Sequence, residues 1–161
     1  MSAELAPAAL AETVDLLESL GRGERIDALI SIAERFRGVP ERLARRPYEP
    51  ERRVPGCESE AYVWSEPLPD GALDFHVAVE NPQGVSAKAF AVILCEALSG
   101  APVEEVLAVP ESVVERIFGR ELSMGKSLGL TGMLQSIQRE ARASSQGQRS
   151  PSAERSGGGQ G

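Results

Sequence analysis

The stretch that decides the fold is residues 52–80, RRVPGCESEAYVWSEPLPDGALDFHVAVE. The segment AYVWS at 61–65 is typical of a β-strand, and the Pro-Asp-Gly at 69–71 is a turn signal. After the turn, apolar and polar side chains alternate, which predicts a second strand with one buried face. Residues 61–80 therefore predict an antiparallel hairpin, to which residues 52–54 can add a short third strand.

Helical patterns flank this hairpin on both sides. Apolar residues at helical spacing predict two helices before it, with these positions on their apolar faces: Leu10, Val14 and Leu17 on the first, and Ile26, Leu29, Ile30, Ala33 and Phe36 on the second. After the hairpin, AFAVILCEAL at 89–98 is apolar on almost all sides, which is typical of a buried helix. Two short helices that begin near Pro102 and Pro110 follow, and a final helix carries an apolar face over 130–137. The order predicts an α+β fold: a small antiparallel sheet of two or three strands covered by helices.

The length of 161 residues suits one domain with an extension. The C-terminal stretch SSQGQRSPSAERSGGGQG is rich in Ser and Gly and has no large apolar side chain. Such a segment has no apolar side chains whose burial could offset the entropy lost on ordering. We therefore predict a folded domain at residues 5–142 and a disordered Ser/Gly-rich tail at 143–161.

Charge and composition exclude several partners. The chain has 17 basic and 24 acidic residues, a net charge of −7, which argues against nucleic-acid binding because phosphates attract a basic surface. No apolar stretch reaches the ~20 residues that a membrane helix needs. The N-terminal sequence also lacks the basic region of a secretory signal. We expect a cytoplasmic protein with no membrane partner.

The two cysteines and one histidine also limit the chemistry. Structural zinc sites usually take four Cys or His ligands, and a cysteine-only iron–sulfur site within one chain needs more thiols than are present. A disulfide framework is not expected in a reducing compartment. We expect no bound metal or cofactor, and chemistry that depends on one thiol.

Cys57 is the candidate thiol, because it lies in a loop that enters a strand. Gly56 lets the backbone bend beside it, and the strand that follows gives apolar cover, so we expect the thiol to be largely buried. The thiolate is the reactive form, and flanking charges act on it in opposite directions. The positive charges of Arg52 and Arg53 would favour the thiolate, and the negative charges of Glu58 and Glu60 would oppose it. From these residues alone, Cys57 is either a reactive thiol or an inert one.

Two further residues carry possible chemistry. Cys95 lies in the middle of the buried helix, where a packed core cysteine is the ordinary state. His76 lies on the polar side of the second strand. As a base for Cys57 it would make a Cys–His hydrolase or transferase, which requires the two side chains to be within hydrogen-bond reach. The alternative is that His76 is an exposed surface residue with no catalytic role.

The loop and the last helix together resemble the SufE family. VPGCESEAYVW resembles the family motif, in which a Gly-Cys-x-Ser segment precedes an apolar strand. LSMGKSLGLTGM at 122–133 resembles its closing pattern Leu-[Ser/Thr]-x-x-Arg-x-x-Gly-Leu-x-x-Met, with Lys126 where Arg is usual. The family's Asp-Ser before the buried helix is Asn81-Pro82 here. The resemblance covers about residues 10–141 and keeps the order of the elements.

The resemblance implies a SufE/IscU-like fold and a persulfide carrier rather than an independent enzyme. Cys57 would accept sulfur from a pyridoxal-phosphate-dependent cysteine desulfurase, SufS-like or CsdA-like, and stimulate it. The sulfur would pass to an iron–sulfur scaffold complex, SufBCD-like. Residues that would shape the loop or dock the partner are Gly56, Ser59, Lys126, Arg52 and Arg53. A non-catalytic adaptor that binds the desulfurase is the other possibility.

Overall fold

A two-stranded antiparallel sheet and six α-helices form the part of the chain that the computed structural model describes, residues 5–154, with side chains described through residue 146. In chain order, the elements are α1 (Ala8–Ser19), α2 (Arg22–Ala33), β1 (Ala61–Pro67), β2 (Leu73–Val79), α3 (Val85–Leu98), α4 (Val103–Ala108), α5 (Val113–Phe118) and α6 (Met124–Glu154). This confirms the α+β fold predicted from the sequence.

The hairpin forms as predicted, and burial in β2 alternates from Leu73 to Val77, after which Ala78 is buried as well as Val79. Ala61 pairs with Val79 at one end, and Pro67 pairs with Leu73 at the other. Of the two or three strands predicted, two form: residues 50–52 make a 3₁₀ turn, and the optional third strand at 52–54 is reduced to a single β-bridge between Arg53 and Tyr62. The prolines at 50 and 55 bracket this segment and have no backbone N–H to donate, so a longer ladder does not form.

The inner face of the hairpin packs on two helices. α3 lies against β2, and α6 lies against β1. Because α3 is apolar on nearly all sides, it is buried along most of its length, with Phe90, Leu94 and Leu98 fully covered. α1 packs on α3 and α5 through the three apolar positions predicted for it. None of the described helices is both long and apolar enough to cross a lipid bilayer.

The apolar face of α2 is only partly covered, which differs from the expectation of one buried face. Leu29 is buried against α3, but Ile26 and Ile30 are 49% and 44% exposed. These two isoleucines are four residues apart and therefore share one side of the helix. α2 presents Leu29 to α3 and leaves that neighbouring side open.

α6 begins at a capping residue and continues beyond the predicted domain boundary. The Lys126 backbone N–H donates to the Ser123 hydroxyl at 3.3 Å, which is an N-cap arrangement. Ala141 is the last fully buried side chain among those described, and the helix continues to Glu154. α6 thus extends over 143–154, into the segment for which the sequence predicts a tail, and the domain boundary stays a prediction. The rest of the predicted tail, residues 155–161, lies outside the described residues.

Candidate functional site: the Cys57 cavity

Cys57 lies at the tip of a tight loop before β1. The backbone reverses on both sides of it, because Gly56 and Glu60 both have left-handed φ angles, +72° and +51°. The loop is closed by hydrogen bonds: the Val54 N–H donates to the Ala61 carbonyl at 2.8 Å, and the Glu60 N–H donates to the Cys57 carbonyl at 3.3 Å. The loop is thus fixed to the start of the hairpin.

Glycines of α6 allow this loop to lie directly on the helix. A Cβ atom on Gly129 would come within 3.2 Å of the Cys57 Cα and 3.6 Å of its Sγ. A Cβ on Gly132 would come within 2.8 Å of the Pro55 carbonyl oxygen. Any larger residue at these positions would push the loop and the helix apart.

The Cys57 side chain faces a cavity of about 280 Å³ between the loop, α3 and α6. Its lining includes Ser59, Val85, Ser86, Lys126, Gly129 and Leu130. Cys57 is 7% exposed, which confirms the expectation of a largely buried thiol. The two SufE-like motifs, far apart in the sequence, meet at this cavity.

The predicted site residues divide into two groups. Ser59 and Lys126 line the cavity with Cys57, as the resemblance implies. Arg52 instead forms an ion pair with Glu140 of α6, whose other carboxylate oxygen accepts a hydrogen bond from the Ser65 hydroxyl at 3.3 Å.

Arg53 is exposed and lines a shallow depression on the other side of Cys57, next to Gly56. Neither of the two consecutive arginines, Arg52 and Arg53, lines the Cys57 cavity. Arg53 does share the second depression with Cys57, so it stays a candidate docking residue beside the cysteine, whereas Arg52 is held by Glu140.

His76 lies on the opposite, outer face of the hairpin. Its Nε2 is 2.8 Å from Glu66 Oε1 and 3.4 Å from Asp74 Oδ2. This imidazole is partly buried within an ion-pair network and does not line the Cys57 cavity. A Cys57–His76 catalytic pair is therefore not formed.

The same outer-face cluster brings together three side chains that could bind a cation. One ligand atom from each of Glu66, Asp74 and His76 lies within 4.8 Å of the others. However, both oxygens of Glu66 already accept hydrogen bonds from Arg42, at 2.6 and 2.9 Å. The Arg42 hydrogen bonds are the main cause that lowers the pKa of Glu66 to about 2, and His76 adds to the effect. The cluster is already satisfied as a salt-bridge network.

Cys95 lies on α3, beside a separate cavity of about 770 Å³ that it shares with His76. Burial raises the pKa of its thiol to about 12, and the negative charge of Asp74 adds to the shift. The thiol therefore stays protonated near neutral pH and is a poor nucleophile. This agrees with the prediction that Cys95 is a packing residue.

Sequence reasoning missed several glycines of the site. Gly125 and Gly132 approach the Cys57 loop from α6, and Gly84 approaches Ser59, where a Cβ would lie 3.0 Å from the hydroxyl oxygen. A signal was present: glycine is a poor helix former, yet it recurs at 125, 129 and 132 within a helical pattern. This spacing places all three on one side of α6.

Comparisons with known proteins agree with this arrangement. The family described as "SufE: Fe-S metabolism associated domain" matches residues 11–141. Uncharacterized SufE-like proteins from two Mycobacterium tuberculosis strains are 26% identical over 137 residues, covering 84% of this chain and 93% of theirs. The solution structure of a hypothetical protein from Thermus thermophilus matches with a TM-score of 0.67 and 26% identity, covering 88% of this chain and 98% of that one. The chain therefore belongs to the SufE family and carries a domain associated with iron–sulfur metabolism.

Proposed function

We propose that this protein accepts a persulfide sulfur on Cys57 from a pyridoxal-phosphate-dependent cysteine desulfurase and delivers it to an iron–sulfur assembly scaffold. The observation that carries the proposal is the position of Cys57: a single thiol that faces a sheltered cavity within a SufE domain. The transfer would take place in the reducing cytoplasm, where free thiols persist.

The proposed step is a thiol exchange. The Cys57 thiolate attacks the terminal sulfur of a cysteine persulfide on the donor. A new S–S bond forms between Cys57 Sγ and that sulfur, while the donor's S–S bond breaks and its cysteine leaves as a thiolate. The total oxidation state of the sulfur atoms is unchanged, so no external oxidant or reductant is needed. A second exchange of the same kind passes the sulfur to the acceptor.

The cavity suits storage of that sulfur. Its volume of about 280 Å³ is several times the ~30 Å³ that a water molecule occupies, which leaves room for one more sulfur atom on Cys57. Among the described residues that line it there is no second cysteine, so a bound sulfur cannot be displaced by an internal disulfide. The low exposure of Cys57 limits attack by small thiols.

Two charged residues of opposite sign line this cavity, the basic Lys126 and the acidic Glu58. An ammonium group in the cavity would offer a charge-assisted hydrogen bond to an anionic persulfide held there. The family's usual arginine is a planar, bidentate group, whereas lysine is a point charge with rotatable donors. We therefore assign Lys126 a charge-stabilising role that does not depend on a fixed hydrogen-bond geometry.

The test is to incubate the protein with a SufS-type desulfurase and cysteine and to measure the mass of the Cys57 peptide. We expect a gain of one sulfur atom on Cys57 that a reducing agent removes. Cys57→Ser should accept no sulfur and should lose its stimulation of the desulfurase, while Cys95→Ala should behave as the unmodified protein. Full stimulation by Cys57→Ser would contradict the carrier mechanism and favour a non-catalytic adaptor.

A further inference from the structure

A second groove lies directly beside the Cys57 cavity. It runs between α2, the start of α3 and the connection from α5 to α6, and its volume is about 550 Å³. Ile26, Ile30 and Val85 line it and are 49%, 44% and 43% exposed. Isolated exposed apolar residues are ordinary, but a contiguous apolar group in a groove is typical of an interaction site.

The groove and the Cys57 cavity form one continuous surface. Val85, Ser86 and Lys126 line both of them. A molecule that covers the mouth of the Cys57 cavity therefore also meets the apolar side chains of α2.

Further exposed apolar side chains lie at the start of the helix that carries Lys126. Besides the three in the groove, Met124 and Leu128 are 79% and 60% exposed in the first turns of α6, the helix that carries Lys126. Leu16, 61% exposed on α1, lines neither the groove nor the cavity. Met124 and Leu128 also line neither, so the contiguous exposed apolar group is the one that Ile26, Ile30 and Val85 form in the groove.

The groove also carries positive charge, although the chain as a whole has a net charge of −7. Its charged lining residues are Arg22, Arg25, Arg120, Lys126 and Glu121. Two of its four basic residues are already in ion pairs, Arg22 with Glu121 at 2.6 Å and Arg120 with Glu115 at 2.9 Å, which leaves Arg25 and Lys126 to meet a partner. The Arg25 Nε is buried and has no hydrogen-bond partner among the described residues. Because this nitrogen is covered by the protein's own atoms, it offers no contact to a partner, and Arg25 contributes to the groove through its charge.

We propose that this groove is the docking surface for the sulfur-donating protein, which lays an amphipathic segment with apolar and carboxylate side chains into it. The inference rests on the proposed function. To react, the donor's sulfur must come to ~3–3.5 Å from Cys57 Sγ. A specific interface covers ~800 Å² on each partner, far more than the cavity mouth alone, so the donor must also cover neighbouring surface. The apolar, positively charged groove is the neighbour that complements such a segment.

The experiment compares Ile30→Glu with Leu16→Glu for binding to a purified SufS-type desulfurase by titration calorimetry. Both substitutions place a carboxylate at an exposed leucine or isoleucine on a helix, but only residue 30 lies in the groove. We expect Ile30→Glu to raise Kd by at least about tenfold, because it removes an apolar anchor and repels the partner's carboxylates. Leu16→Glu should leave Kd nearly unchanged. Ile30→Ser should give a smaller rise in the same direction.

Three further measurements separate the outcomes. The alkylation rate of Cys57 with a small reagent should be the same in Ile30→Glu and Leu16→Glu, which shows that the thiol itself is undisturbed. If both variants bind and accept sulfur like the unmodified protein, the docking inference is overturned while the carrier function stands. If the unmodified protein accepts no sulfur, the carrier function fails and the inference with it. Self-association that Ile30→Glu abolishes would assign the groove to a second copy and overturn the proposed occupant.

Discussion

Gly129 of α6 lies against Cys57 so closely that a methyl group on the glycine would come within 3.2 Å of the cysteine Cα. This contact joins the two stretches of sequence that carry the SufE resemblance. It keeps the thiol inside the cavity, since the loop can lie on the helix only where the helix has no side chain. The position of the Cys57 sulfur therefore depends on residue 129 having no side chain.

Gly129→Ala should push the Cys57 loop outward. We expect alkylation of Cys57 by a bulky maleimide to become several-fold faster than in the unmodified protein. Stability should change little or fall, because alanine adds ~1 kcal/mol of helix propensity while the crowded methyl group costs ~1–3 kcal/mol. Reaction rate by mass spectrometry and urea unfolding measure the two effects.

Gly23→Ala is the matched control for that variant. Gly23 also lies in a helix, but a Cβ atom there would meet no other atom within 4 Å. This substitution should stabilise the protein by up to ~1 kcal/mol and leave Cys57 alkylation unchanged. Equal alkylation rates in the two alanine variants would show that the Gly129 contact does not hold the loop.

Docking of the desulfurase should expose Cys57. At 7% exposure, the thiol in the free protein should react slowly with a bulky thiol reagent, because reaction requires the loop to open first. Added desulfurase should accelerate the reaction if it binds the open loop more tightly than the closed one. Rapid modification in the free protein, with no change on adding the enzyme, would mean that the loop is already open in solution.

The sequence was sufficient to predict the elements that depend on local periodicity. The hairpin, the buried helix α3 and the apolar face of α1 follow from the spacing of side chains along the chain. The grouping of Cys57, Ser59 and Lys126 came from the family resemblance, because no local pattern connects a loop to a distant helix.

Features that depend on tertiary neighbours could not be predicted. The ion pair of Arg52 with Glu140 joins residues 88 positions apart. No local pattern shows this pairing, so the sequence alone suggests only that Arg52 lies near Cys57, its neighbour along the chain. Periodicity identified the apolar face of α2 but not which neighbour covers it, and Ile26 and Ile30 remain exposed. Both differences arise because a pattern defines a face and not its partner.

Removal of residues 144–161 should leave the protein folded and active. Among the side chains described through residue 146, Ala141 is the last fully buried one, and those after it are exposed or half-buried. We expect the melting temperature and the sulfur-transfer rate to stay unchanged in the shortened protein. A shorter chain that ends at residue 139 should melt at a lower temperature, because it loses Ala141 and the Glu140 partner of Arg52. A clear drop in the first variant would show that the C-terminal segment contributes contacts of its own.

Glu66 should make the stability of the hairpin depend on pH in acid. Hydrogen bonds from Arg42 lower its pKa from 4.5 to about 2 in the folded protein. A carboxyl group with a lowered folded pKa contributes stability that is fully present above pH 4.5 and is lost as the pH falls towards about 2. The free energy of unfolding of Glu66→Gln, measured in urea, should therefore be below that of the unmodified protein at pH 7, and the difference should shrink between pH 4.5 and 2.

Glu41→Gln is the control, since Glu41 is exposed and forms no ion pair within the described residues. A difference for Glu66→Gln that stays constant across this pH range would show that the Arg42 contact does not hold the carboxylate in solution.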